Sequence, residues 1–142
     1  AAAHDPAAGA IAAPIAVAVE ELIRYDSPLQ LFERTAMADT EIGGVTVRAG
    51  EKIAALLGAA NRDPAVFDAP DTFDLTREAN PHLGFGAGIH FCVGAPLARV
   101  ELQSSLRTLV RRFPAMQLAG TPRRRPEFVI RGLQELMVTI RG

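Results

Sequence analysis

Cys92 is the only cysteine of the chain, and it sits in the run Phe85-Gly86-Ala87-Gly88-Ile89-His90-Phe91-Cys92-Val93-Gly94. Glycines at 86, 88 and 94 permit positive backbone angles or close backbone approach around the thiol. Pro96 marks a helix start just beyond it, where unpaired backbone N–H groups and the helix dipole favour an anionic sulfur. A thiolate on such a loop, with no second cysteine beside it, suits an axial metal ligand beneath a flat cofactor, because the backbone can approach the cofactor plane and donate hydrogen bonds to the sulfur. The competing reading is a small buried hydrophobe, the commonest fate of a lone cysteine. A phosphate-binding loop is not indicated, since no Lys-Ser/Thr signature follows Gly86-Ala87-Gly88. One cysteine also excludes an intramolecular disulfide and any all-cysteine metal site within one chain.

Three further groups could support chemistry. Glu21 and Arg24 are spaced to share a helix face, as a surface ion pair or as something buried. Arg34 follows in an extended segment, and His90 lies two residues before the cysteine, where it could equally be a hydrogen-bonded structural histidine. Fourteen of the fifteen basic residues are arginines, and Lys52 is the only lysine. Residues 1–78 carry 13 acids and 6 bases (−7), whereas 79–142 carry 3 acids and 9 bases (+6). The basic second half could meet an acidic protein or cofactor carboxylates. Arg123-Arg124-Arg125, with no helix-turn-helix or zinc pattern beside it, does not argue for nucleic acid.

The elements that must position these residues are legible in part. Pro14 to Asp26 reads as a helix through Ile15, Val19, Leu22 and Ile23, stopped by Ser27-Pro28, with residues 1–13 an irregular segment before it. Leu29 to Ala38 is extended. Gly43-Gly44 and the turn at 48–51 then break the chain into a small antiparallel sheet ending at Lys52–Leu57. Asn61 to Leu83, rich in proline and aspartate, reads as an ordered meander tied down by Phe67, Phe73 and Leu75. Ala95 to Phe113 is the longest helix, its apolar face supplied by Leu97, Val100, Leu102, Leu106, Leu109, Val110 and Phe113, and Pro114 stops it. A strand near Met116–Leu118, an arginine-rich loop at 123–125 and strands at Glu127–Arg131 and Leu136–Ile140 complete an α+β chain. Its 142 residues, 49% hydrophobic and 22% charged, are enough for one globular unit. No apolar run reaches the ~18 residues of a membrane span, and the first residues lack the basic cluster of a signal peptide. The expected setting is cytoplasmic, with no membrane partner.

The run from Phe85 through Gly86, Gly88, His90, Cys92 and Gly94 to Ala98-Arg99 resembles the haem-binding signature of the cytochromes P450. The resemblance implies that Cys92 is the proximal thiolate ligand of haem b, with Phe85 and the three glycines forming the ligand loop. Glu21 and Arg24 resemble the buried pair of the K helix in the bacterial members, and Arg62 in Asn61-Arg62-Asp63-Pro64 matches the third member of that structural triad. His90 and Arg34 would hold haem propionates. Leu29, Gln30, Leu31 and Phe32, with Leu133 and Gln134, fall where the family lines its substrate pocket. The implied fold is the C-terminal part of the family's haem domain over residues 14–142: K helix, small antiparallel sheet, meander, cysteine loop, L helix and C-terminal β hairpin.

The implied activity is haem-thiolate monooxygenation of an organic, apolar substrate, fed by a ferredoxin or a reductase that meets the arginines at 99, 107, 111 and 112. No segment resembles the family's long I helix with its proton-delivery residues, so no distal catalytic residue is assigned and the chain by itself is expected to be inactive. The alternatives are a non-catalytic haem-binding module and a haem-free fragment. An uncovered apolar face predicts a homo-oligomer, or assembly with the missing N-terminal half.

Overall fold

Alanine-rich sequence makes the first element longer than its apolar period suggests. The computed structural model describes residues 6–140, with side chains from residue 15 onward, and helix α1 spans Pro6–Tyr25. Residues 6–13, expected to be irregular, are therefore helical, and residues 1–5 lie outside the described residues. The strong helix propensity of alanine outweighs the backbone hydrogen bond that an interior Pro14 removes. At the other end the Ser27 hydroxyl donates to the Ile23 carbonyl at 2.9 Å, and Pro28 follows.

The expected small sheet is two separate ladders. Strand β1 (Phe32–Thr35) pairs antiparallel with β4 (Lys52–Ala55). Between them, β2 (Thr40–Ile42) and β3 (Val45–Val47) form a hairpin of their own. Its turn needs positive φ at both central positions, and Gly43 (+58°) and Gly44 (+79°) supply them. A short helix α2 (Leu57–Ala60) leads into the meander. There Phe67 is buried, Phe73 lies half-exposed against Tyr25 with ring centroids 5.1 Å apart, and Leu75 is exposed rather than a tie.

Helix α3 (Ala95–Arg112) packs against α1 and carries Pro96 in its first turn. Beyond it, β5 (Gln117–Leu118) pairs with β8 (Val138–Thr139), and β6 (Arg123–Arg124) pairs with β7 (Leu133–Glu135) inside that outer pair. The C-terminal hairpin is thus one interrupted ribbon, to which the arginine-rich segment contributes a strand. Glu127–Arg131 is not a strand; it meets the chain after α1 at an isolated Leu29–Ile130 bridge, with the Arg131 N–H on the Pro28 carbonyl at 2.7 Å and the Gln30 N–H on the Val129 carbonyl at 2.9 Å. Pro126 at its start and Pro28 in the facing segment have no N–H to give, so the pairing does not extend into a ladder.

The buried centre is polar. The largest fully buried side chains are Arg24, Glu21, Val19, Asn61 and Ser27. The α3 face expected in the core is open instead: Leu97, Val100 and Val110 are 63%, 64% and 59% exposed. Among the described residues no element lies over it, and periodicity alone cannot show whether a partner for an apolar face is at hand.

Candidate cofactor site

The buried pair fixes the frame. Arg24 donates through Nε and Nη2 to Glu21 at 2.7 and 2.8 Å. Its remaining N–H groups go to the carbonyls of Asn61 (2.8 Å), Pro70 (2.8 Å) and Thr72 (3.1 Å), so all five guanidinium donors are used. Glu21 also accepts from the Asp74 N–H at 2.9 Å and the Asn80 amide at 3.1 Å. Burial pushes the Glu21 carboxyl up, but Arg24, the Asp74 amide and Arg77 outweigh it and hold the group below the usual carboxylate range. Glu21 in turn raises Arg24 further.

Arg62 is not the third member of this cluster. Its guanidinium binds Asp71 (2.7 Å) and the Tyr25 carbonyl (2.8 Å), and stacks 3.9 Å from the Tyr25 ring centroid. Arg77 takes the place instead, with Nε 3.2 Å from Glu21 Oε2. The reason is geometric: Arg62 leaves α2 on the side of the α1 C-terminus, whereas residue 77 returns past Glu21 after the Asp74 turn. Its signal was the Phe73-Asp74-Leu75-Thr76-Arg77 run, which places an arginine three residues after the amide that Glu21 accepts.

Asn61, also unassigned from sequence, ties this frame to the cysteine loop. Its Nδ2 donates to Ser27 Oγ and its Oδ1 accepts the Leu83 N–H, both at 2.7 Å. From Leu83 the loop turns back on itself through Gly86 N–H to Leu83 carbonyl (2.8 Å) and Cys92 N–H to Phe85 carbonyl (2.9 Å). A single 3-10 turn at Gly88–His90 lies between. Gly86 (φ +74°) and Gly88 (φ +61°) need their glycines. Gly94 does not, for its φ is −82°; it opens α3, and a Cβ there would stand 3.7 Å from Cys92 Sγ.

Cys92 is free and exposed, not a packed hydrophobe. With Leu29, Phe32, Phe85, His90 and Ala98 it borders an open, mainly apolar concavity of about 440 Å³, within the ~300–1,000 Å³ common for cofactor sites. Among the described residues no three His, Cys, Asp or Glu side chains gather as a metal-binding group, so a metal at this thiol would draw its other ligands from a cofactor. A lone accessible thiol, an apolar wall and a loop bent by two positive-φ glycines fit an apolar macrocycle held through one sulfur.

The remaining candidates are spread. Arg34 is exposed on β1, donating to the Glu33 carbonyl at 2.9 Å and lying 5.1 Å from the ring of Phe32, which borders the concavity. Gln30 does not border it: its amide donates to the Ser27 carbonyl, and it lines a polar cavity with Arg24, Arg62 and Arg131. Leu31 is half-buried. Leu133 and Gln134 lie exposed on β7, away from the residues that border the concavity. Arg99, expected on a solvent-facing basic surface, is bound by Glu20 at 2.7 and 2.8 Å. Arg99 first, and His82 after it, hold Glu20 below the usual carboxylate range against burial.

Comparison with known proteins agrees with this geometry. Residues 15–133 match the family described as Cytochrome P450. The chain is 53% identical over 126 residues to the biotin biosynthesis cytochrome P450 of Bacillus subtilis (strain 168), covering 88% of this chain and 32% of that protein. It is 52% identical over 115 residues to the nocardicin C N-oxygenase of Nocardia uniformis subsp. tsuyamanensis, covering 79% and 29%. In structure it superimposes on P450BioI in complex with hexadec-9Z-enoic acid ligated acyl carrier protein at TM-score 0.88, with 52% identity, 91% of this chain and 34% of that one. CYP109E1 from Bacillus megaterium in complex with testosterone follows at TM-score 0.86, with 36% identity, 89% of this chain and 36% of that one. The chain spans about a third of the length of the relatives it matches, and no described helix is long and apolar enough to cross a membrane. With its thiol loop, buried Glu21–Arg24 pair and this extent of likeness, the chain belongs to the cytochrome P450 family.

Proposed function

We propose that the chain is the thiolate-presenting part of a haem monooxygenase, with Cys92 the proximal ligand of haem b. The observation that carries this is the free Cys92 thiol at the edge of an apolar concavity, on a loop bent by two positive-φ glycines. Bound haem supplies the activation of O2 and the transfer of one oxygen atom to an organic substrate. The chain's residues do the holding. The Phe85 carbonyl braces the Cys92 amide, and the positive end of the α3 dipole, which begins three residues on at Ala95, favours an anionic sulfur. Leu29, Phe32, Phe85 and Leu102, which border the concavity, would shield the macrocycle from water on this side. His90 and Arg34, at or near the rim, suit the two carboxylates of the haem.

The whole protein's substrate is proposed to be apolar, met on this side by Leu29, Leu31 and Phe32 and, from the ribbon, by Leu133 and Gln134. The fatty acyl group and the steroid named with P450BioI and CYP109E1 agree with an apolar substrate. A ferredoxin or reductase is proposed to deliver electrons on the α3 side, where Arg107 precedes a last turn carrying Arg111 and Arg112. The apolar face of α3 is proposed to be covered by the rest of the whole protein, or by a second copy when the chain stands alone.

The test is an absorption spectrum of the purified chain after haem addition, then after reduction under carbon monoxide. A thiolate-ligated band, lost in Cys92→Ala, is expected. A folded chain that takes up no haem overturns the ligand assignment and leaves the haem-free alternative, and one that takes it up equally well without Cys92 overturns the assignment alone.

A further inference from the structure

One ion pair crosses between the two helices beside the concavity and ends on the ring next to Cys92. Glu20 on α1 receives Arg99 from α3 in bidentate fashion, Nε at 2.7 Å and Nη2 at 2.8 Å. The same carboxylate is 3.0 Å from His82 Nε2. Nδ1 of that ring accepts the Gly84 N–H at 3.1 Å, which assigns the proton of the neutral imidazole to Nε2, facing Glu20. A carboxylate held from two sides leaves the Arg99 plane little freedom. The guanidinium carbon lies 4.6 Å from the centroid of the Phe85 ring. Phe85 meets His82 and Phe91 at 6.1 and 6.4 Å, and its carbonyl accepts the Cys92 N–H at 2.9 Å.

We infer that Glu20 and Arg99 are positioning residues for Cys92: the ion pair orients the guanidinium, the guanidinium holds the Phe85 ring at the edge of the concavity, and the Phe85 backbone holds the thiol-bearing residue. A purely structural role explains the contacts less well. The Glu20 and Arg99 side chains are 26% and 30% exposed, and a partly exposed pair adds only modestly to folding stability. Its geometry, by contrast, is specific: a lysine at 99 keeps the charge but cannot form the fork or lie flat on the ring.

The inference draws on the haem-thiolate reading only in its second readout. The first is the rate at which iodoacetamide alkylates Cys92, the chain's only thiol, in the full chain with its helical circular dichroism checked. Arg99→Gln frees the Phe85 ring and is expected to change that rate about two- to five-fold, the factor one partly exposed cation–π contact controls. Glu20→Gln, which removes only the anchor, is expected to move it in the same direction and is read alone if Arg99→Gln loses its helices. The decisive variant is the reversed pair, Glu20→Arg with Arg99→Glu. It rebuilds the helix–helix ion pair but sets a carboxylate against the negative ring face, so the altered rate is expected to persist. Wild-type rates in the reversed pair, or in folded Arg99→Gln and Glu20→Gln, overturn the inference. In the second readout the thiolate-ligated band of the haem-loaded chain is expected to shift in Arg99→Gln and stay shifted in the reversed pair. If the unmodified chain forms no such band, the haem reading fails while the alkylation rates still decide the positioning.

Discussion

Asn61 Oδ1 accepts the backbone N–H of Leu83 at 2.7 Å, while the other end of the same buried amide binds Ser27 at the foot of α1. One side chain thereby couples the helix carrying the Glu21–Arg24 pair to the residue from which the cysteine loop departs. Asn61→Ala leaves a backbone donor and a buried hydroxyl short of partners. It is expected to cost about 1–3 kcal/mol, read from urea unfolding, and to raise hydrogen exchange at Leu83 and Gly86 more than in α3.

Arg77 and Arg62 are separated by what they touch. Arg77→Ala withdraws a charge from buried Glu21 and a donor from the Asp68 carbonyl. Arg62→Ala loses an exposed contact to Asp71, a bond to the Tyr25 carbonyl and its stacking on Tyr25. The expected losses are about 2 kcal/mol at Arg77 and about 1 kcal/mol at Arg62, compared by urea midpoints. Equal losses would contradict the assignment of Arg77 to the Glu21 cluster.

Arg24→Ala is expected to be the most damaging single change in the chain. It strands the fully buried Glu21 carboxylate and three carbonyls, at about 3–5 kcal/mol. Loss of the cooperative thermal transition, with little effect from a surface control such as Arg48→Ala, is the outcome that checks it.

Acid acts through the same groups. Glu20 and Glu21 both titrate below the ordinary 4.5 when folded, so the unfolded chain binds protons first as pH falls. Their contribution is fully present above 4.5 and is lost as pH drops through the depressed folded values. Unfolding free energy is expected to be flat in this respect near neutrality and to fall steeply on the acid side of 4.5, with a shallower fall in Glu21→Gln.

Self-association is expected of the isolated chain, through α3. Val100→Glu together with Val110→Glu places charge on positions 64% and 59% exposed, so folding tolerates it while an apolar contact does not. Light scattering should show the doubly substituted chain closer to the 15.1 kDa monomer than the unmodified one.

The bend of the loop around Cys92 was legible from one dimension because its signal is local. Gly86 and Gly88 stand where φ is positive, Pro96 opens α3, and the thiol follows at a fixed offset. Helix and hairpin existence was legible for the same reason: period and turn chemistry act over a few residues. The extra helical residues 6–13 were not, because interior Pro14 and alanine propensity oppose each other and no periodic apolar stripe arbitrates.

What only the tertiary structure decided is partnership at long range. Arg62 and Arg77 are alike in type, both in the meander, and only the path of the chain between them brings the second to Glu21. Arg99 reads as one more surface cation until α1 sets Glu20 against it. The face of α3 reads as core until, among the described residues, no element arrives to cover it. Local sequence sets which conformations a segment prefers; which charges neutralise one another, and which apolar faces find cover, depends on distances between segments that no spacing encodes.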